Sequence, residues 1–79
     1  MMTLDEFLKQ WGAQSMIAER MKVSKQVVSE WFKENNPKKP SVTSLIKLSK
    51  ALKILHVKEC TPSALLEWFK KRDEEQENL

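Results

Sequence analysis

The chain has 79 residues, 41% of them hydrophobic and 32% charged, with 14 Lys and Arg against 11 Asp and Glu for a net charge of +3. That length makes one domain near the lower limit for a core without staples, and the single Cys60 excludes an internal disulfide and points to a reducing, cytoplasmic compartment. No apolar run approaches the ~20 residues of a membrane span, and no charged-then-apolar leader opens the chain.

In chain order, Thr3-x-x-Glu6 is a capping box, so a first helix is expected from Leu4 to about Lys9 or Trp11, with Leu4, Phe7, Leu8 and Trp11 as its apolar stripe. Gly12, the one glycine in the chain, is the natural stop. A second helix is expected from about Ala13 to Met21, with Ile17, Ala18 and Met21 on one side. The pattern breaks at Lys22-Val23-Ser24. Ser24 is a good N-cap for a third helix from Lys25 to about Glu34, carrying Val27, Val28, Trp31 and Phe32. Two helices joined this tightly must cross steeply. Ala18 falls where their backbones approach, and Val23, Val28 and Trp31 fill the angle.

Asn35, Asn36 and Pro37 end the third helix and open a polar, basic loop, NNPKKPS, whose prolines restrict the unfolded chain. Ser41 or Thr43 caps a fourth helix to about Lys53. Leu45, Ile46, Leu48, Ser49 and Leu52 recur along it at helical spacing, and Lys47, Lys50 and Lys53 form an outward stripe. Residues 54–61 are ambiguous: Leu55 and Val57 suit a short extended piece, with no partner strand evident. Thr61-Pro62 reads as an N-cap and first helical residue of a fifth helix. Its apolar residues Ala64, Leu65, Leu66, Trp68 and Phe69 cover a wider face than a lone surface helix needs. The acidic residues 73–79 are expected to fray, which puts the domain at residues 1–72.

Charge is unevenly spread. Residues 1–19 carry one Lys against three acids, a net −2; residues 20–58 carry ten basic residues against two acids, a net +8; residues 59–79 carry three against six, a net −3. A basic middle around two tightly linked helices is the footprint of a phosphate-binding surface. The bland alternative is a solvated, Lys-rich face.

Residues 14–33, QSMIAERMKVSKQVVSEWFK, resemble the helix-turn-helix of the phage repressor and Cro family. Gln14 stands where that family opens its first helix with a polar residue, Ala18 on the inner face, Val23 just after the turn, and Val28 and Trp31 on the second helix. Lys22 replaces the usual turn glycine, in a position that needs left-handed backbone at a cost of roughly 1 kcal/mol for a residue with a Cβ. The opening MTLDEFLKQWG is similar to the start of Cro proteins, and SLIKLSKAL to the helix that follows the motif in repressors, so the likeness covers about residues 2–54. It implies an all-α, five-helix, lambda-repressor-like fold with helices two and three as the motif. The implied function is sequence-specific duplex-DNA binding by a small transcriptional regulator of phage or mobile-element type in the cytoplasm, at the nucleoid, acting by promoter occlusion. An antitoxin repressing its own operon is a subclass that sequence does not separate.

A helix-turn-helix places its second helix in the major groove, so the outward residues of the third helix are the candidates for base contact. Gln26 can pair bidentately with adenine, Lys25 can reach guanine, and Val27 can meet a thymine methyl. Glu30 can accept from cytosine or repel phosphate. The resemblance assigns Lys25, Gln26, Val27 and Glu30 to base reading. Gln14 and Ser24 match phosphate anchors, to which Ser29, Lys33, Asn35, Asn36, Lys38 and Lys39 add a backbone clamp. For any one of these the plain alternative is a solvated side chain. Helical spacing puts Trp11 and Trp31 in the core rather than against bases and leaves the role of Phe32 open. Leu66 and Trp68, to the side of Leu65 and Phe69, are the expected contacts of a homodimer on an inverted-repeat operator, unless Trp68 folds back over Leu4 or Leu8.

His56 and Cys60 have the spacing of two metal ligands on one helix face, but no second pair exists, so neither a metal nor another cofactor is expected. There is no Gly-rich phosphate loop, no paired carboxylate in an apolar setting and no nucleophile with a His base, so no catalysis is expected. The rival from another class is a protein-interaction adaptor that keeps the fold and binds its partner through helix five. Acidic Glu30 and Glu34 on the groove face favour it, and the basic surface and Gln26 favour DNA.

Overall fold

The computed structural model describes residues 1–33 and 39–77. Among them lie five helices: α1 Leu4–Leu8, α2 Ala13–Met21, α3 Lys25–Phe32, α4 Val42–Ile54 and α5 Pro62–Glu77. The all-α architecture, with α2 and α3 as the helix-turn-helix, is the one the sequence implies.

Local chemistry sets most of the helix starts. At α1 the Thr3 hydroxyl accepts from the Glu6 amide at 3.2 Å, and the Glu6 carboxylate accepts from the Thr3 amide at 3.3 Å. The Thr3 hydroxyl, donating to the Glu6 carboxylate at 2.9 Å, and then the Thr3 amide hold that carboxyl below the ordinary range. Glu59, far along the chain, adds an acceptor for the Leu4 amide at 3.1 Å. Ser24 caps α3 through the Val27 amide, Ser41 rather than Thr43 caps α4 through the Ser44 amide, and Thr61 accepts from the Ala64 amide ahead of α5.

The first helix is shorter than its pattern predicts. The Lys9 amide bonds to the Glu6 carbonyl and the Gln10 amide to that of Phe7, which tightens the chain into a turn. Gly12 then takes φ +76°. Trp11 therefore sits beyond the helix, off the Leu4 and Phe7 stripe, and is fully exposed. The expectation that it lies in the core is overturned.

Two helices end alike. Lys22 takes left-handed backbone at φ +58°, as the resemblance requires, and the Val23 amide reaches back to the Ala18 carbonyl at 3.1 Å. His56 does the same at φ +61°, with the Val57 amide on the Leu52 carbonyl at 2.9 Å. In both, a hydrophobic residue follows the left-handed one and turns back onto the helix, the arrangement that satisfies otherwise orphaned carbonyls. Val57 is fully buried and pairs as a parallel bridge with Met2, whose carbonyl accepts from the Lys58 amide at 2.7 Å. The extended piece after α4 thus has its partner, in the N-terminal segment.

The core draws on every helix: Leu4 and Phe7 from α1, Ile17 and Ala18 from α2, Val28 and Trp31 from α3, Leu48 and Leu52 from α4, Leu65 and Phe69 from α5. Burying each Leu, Ile, Val or Phe contributes ~1.5–3 kcal/mol. Of the residues that recur at helical spacing along α4, Ile46 is exposed, whereas Ser49 is buried with its hydroxyl donating to the Ile46 carbonyl at 2.7 Å. α5 runs past the expected boundary at residue 73 and stays helical to Glu77. No helix among the described residues is long and apolar enough to cross a membrane.

Candidate nucleic-acid interface

α3 packs against α2 at the predicted crossing. Ala18, Val28 and Trp31 are buried there, with Val23 half-buried beside them. With Val28 and Trp31 turned inward, the opposite side of α3 carries Gln26, Ser29 and Glu30, at i, i+3 and i+4, and Lys33 follows just past its end. Lys25 and Val27 flank that side in the first turn. Lys25, Gln26, Val27 and Lys33 are exposed, while Ser29 and Glu30 are half-buried. α3 ends at Phe32 with Lys33 as its extended C-cap, and Glu34, the expected end, lies outside the described residues.

Of the other predicted residues, Gln14 is half-buried in the first turn of α2, and Ser24 is exposed with its oxygen engaged by the Val27 amide. Lys39 forms an ion pair with Asp73 of α5. The ammonium of Lys39 holds the Asp73 carboxyl below its ordinary range. Asn35, Asn36 and Lys38 lie outside the described residues.

The far end of α3 is gripped by α5. Phe32, left open by the sequence, stacks on Phe69 at 5.7 Å and meets Trp68 edge-on at 5.8 Å. The Arg72 guanidinium lies 5.0 Å from the Phe69 ring and 5.5 Å from that of Trp68, and its Nη1 donates to the Trp31 carbonyl at 2.7 Å. Trp68 also donates from Nε1 to Asp5 at 3.2 Å. Trp68 is thus held within its own chain, folded back toward α1 and α3, while Leu66 stays exposed. Arg72 was legible as an anomaly: with Leu65 and Phe69 it falls at i, i+4 and i+7, so a cation occupies the buried stripe.

His56 takes left-handed backbone in the turn after α4 and is exposed, and Cys60 is a half-buried free thiol. No group of three or more metal-ligating side chains occurs among the described residues.

The model of the helix-turn-helix family matches residues 13–58, more than half of the chain. The match begins at α2, so it omits the MTLDEFLKQWG opening, and it runs through α4 and the Val57 bridge, leaving α5 outside. No curated protein and no solved structure matches the chain.

Proposed function

This chain belongs to the helix-turn-helix family of DNA-binding transcriptional regulators, and we propose that it reads one duplex sequence through α3 and represses by occluding a promoter, as a phage or mobile-element repressor or Cro does. The carrying observation is a coincidence. The side of α3 turned away from the core bears Gln26, Ser29 and Glu30, with Lys33 just past its end, and it lies within the stretch of net charge +8. A surface of that sign releases counterions from DNA, and the amide of Gln26 supplies a pattern that a base edge can match.

In this reading Gln26 pairs with adenine, Lys25 reaches guanine, Val27 meets a thymine methyl, and Glu30 accepts from cytosine or rejects wrong sites. Gln14, Ser24, Ser29 and Lys33 hold the backbone, and Lys39 joins them when it leaves Asp73. Asn35, Asn36 and Lys38 would extend the same clamp. Two copies pair on an inverted repeat, with half-sites about 34–36 Å apart, and exposed Leu66 is the contact on α5.

Selection from a random duplex pool tests the proposal. A single enriched inverted repeat, bound with a steep salt dependence, is the expected result. Absence of enrichment, with salt-insensitive retention on duplex, would favour the protein-interaction adaptor, for which exposed Leu66 offers a contact.

A further inference from the structure

α3 has only eight residues, too few for a helix to be stable alone. Its C-cap, Lys33, is extended, whereas the C-cap of α2, Lys22, is left-handed. The carbonyl of Trp31, in its last turn, accepts from Nη1 of Arg72 on α5 at 2.7 Å.

That contact is strong for three reasons. A charged donor makes a stronger bond than a neutral one, and a cation at a helix C-terminus meets the negative end of the dipole. The guanidinium is also held from behind by the rings of Phe69 and Trp68, against which Phe32 packs. With its side chain only 13% exposed, Arg72 is poorly placed to meet phosphate itself.

We propose that Arg72 is a positioning residue for duplex recognition. Through Trp31 it fixes the last turn of α3, and with it the placement of Glu30 and Lys33 relative to Lys25 and Gln26. α5, which the family match leaves out, thereby becomes part of the reading apparatus. This inference rests on the reading of α3 as the element that meets DNA.

The test compares Arg72→Met, Arg72→Lys and Lys71→Met on the duplex selected by wild type and on random duplex. Lys71→Met is the control, because it removes the same charge from an exposed neighbouring position. Arg72→Met should lose on the order of tenfold more affinity on the selected site than on random duplex, about the weight of one base contact. Arg72→Lys should recover part of that loss, and Lys71→Met should affect both duplexes alike. A discrimination loss in Arg72→Met no larger than in Lys71→Met overturns the proposal.

Hydrogen exchange on wild type decides the matter even if Arg72→Met does not fold. The amides of Trp31 and Phe32 should open together with those of residues 65–69. If they exchange freely while α5 stays closed, Arg72 does not fix α3. A wild type that selects no sequence overturns the reading of α3 itself, whereas a selective wild type with a free α3 end overturns the role of Arg72 alone.

Discussion

Lys22 and His56 close α2 and α4 with the same backbone, at φ +58° and +61°. Each occupies a left-handed position at a cost of roughly 1 kcal/mol relative to glycine. Lys22→Gly and His56→Gly remove that strain but loosen the unfolded chain, which offsets part of the gain. Each substitution should therefore be neutral or stabilising by up to about 1 kcal/mol in a urea titration. A clear loss of stability in Lys22→Gly would mean that its side chain contributes more than the turn costs.

Ala18→Leu should do the opposite. Ala18 is buried at the crossing of α2 and α3, and its carbonyl accepts the Val23 amide that closes the turn. Extra methylenes there must push the two helices apart, at ~1–3 kcal/mol or more. A lowered urea midpoint with an unchanged slope is the expected signature. An unchanged midpoint would show that the crossing has room.

Caps were readable because they are local. Thr3 with Glu6, Ser24 and Thr61 each act within three residues of their target, and each stands out in the sequence. Trp11 was misplaced because its spacing from Phe7 assumes that the helix continues, whereas the turn around Gly12 had already begun. Met2 on Val57, Glu59 on Leu4, Arg72 on Trp31 and Lys39 on Asp73 join segments distant in sequence. No periodicity encodes such pairs. At the candidate site the sequence showed which side of α3 faces out, because Val28 and Trp31 define the inner side. Arg72 stood out as a cation on the buried stripe of α5, but its partner, the Trp31 carbonyl, was hidden because it lies on another helix.

Gln26→Ala and Lys33→Ala should separate base reading from backbone holding. Losing a bidentate amide costs ~1–3 kcal/mol on the specific site and relaxes selectivity at one base pair. Losing a phosphate contact weakens specific and random duplex alike and lowers the salt slope by about one. Titrations on both duplexes at several salt concentrations measure this. Identical behaviour of the two variants would remove α3 from the groove.

Asp73→Asn should release Lys39. In the folded protein the Lys39 ammonium depresses the Asp73 carboxyl. The pair therefore stabilises the fold above the ordinary aspartate range and is lost as pH falls through the depressed value. Wild type should exceed Asp73→Asn in stability at neutral pH, and the difference should vanish in acid. On DNA the freed Lys39 should raise affinity for any duplex and steepen the salt slope by up to about one unit. A stability gap that persists at low pH would assign it to something other than this ion pair.

Pairing through α5 should depend on Leu66 more than on Trp68. One helix-turn-helix covers too few base pairs to find a single site in a genome, and two-fold pairing doubles the contact. A small chain also gains buried area by pairing. Trp68, the aromatic one would first choose as an anchor, has its indole on Asp5, Phe32, Phe69 and Arg72. Leu66 is 56% exposed on the same helix. Leu66→Lys should therefore leave the monomer's stability nearly unchanged while shifting sedimentation toward monomer and weakening binding to the inverted repeat more than to a half-site. Trp68→Ala should chiefly destabilise the fold, by ~3–5 kcal/mol if it behaves as a buried aromatic and less in proportion to its partial exposure. Sedimentation and half-site titration of both variants separate these effects. A wild type that stays monomeric at micromolar concentration, with Leu66→Lys binding the full repeat as well as wild type does, would place the pairing surface elsewhere than on α5.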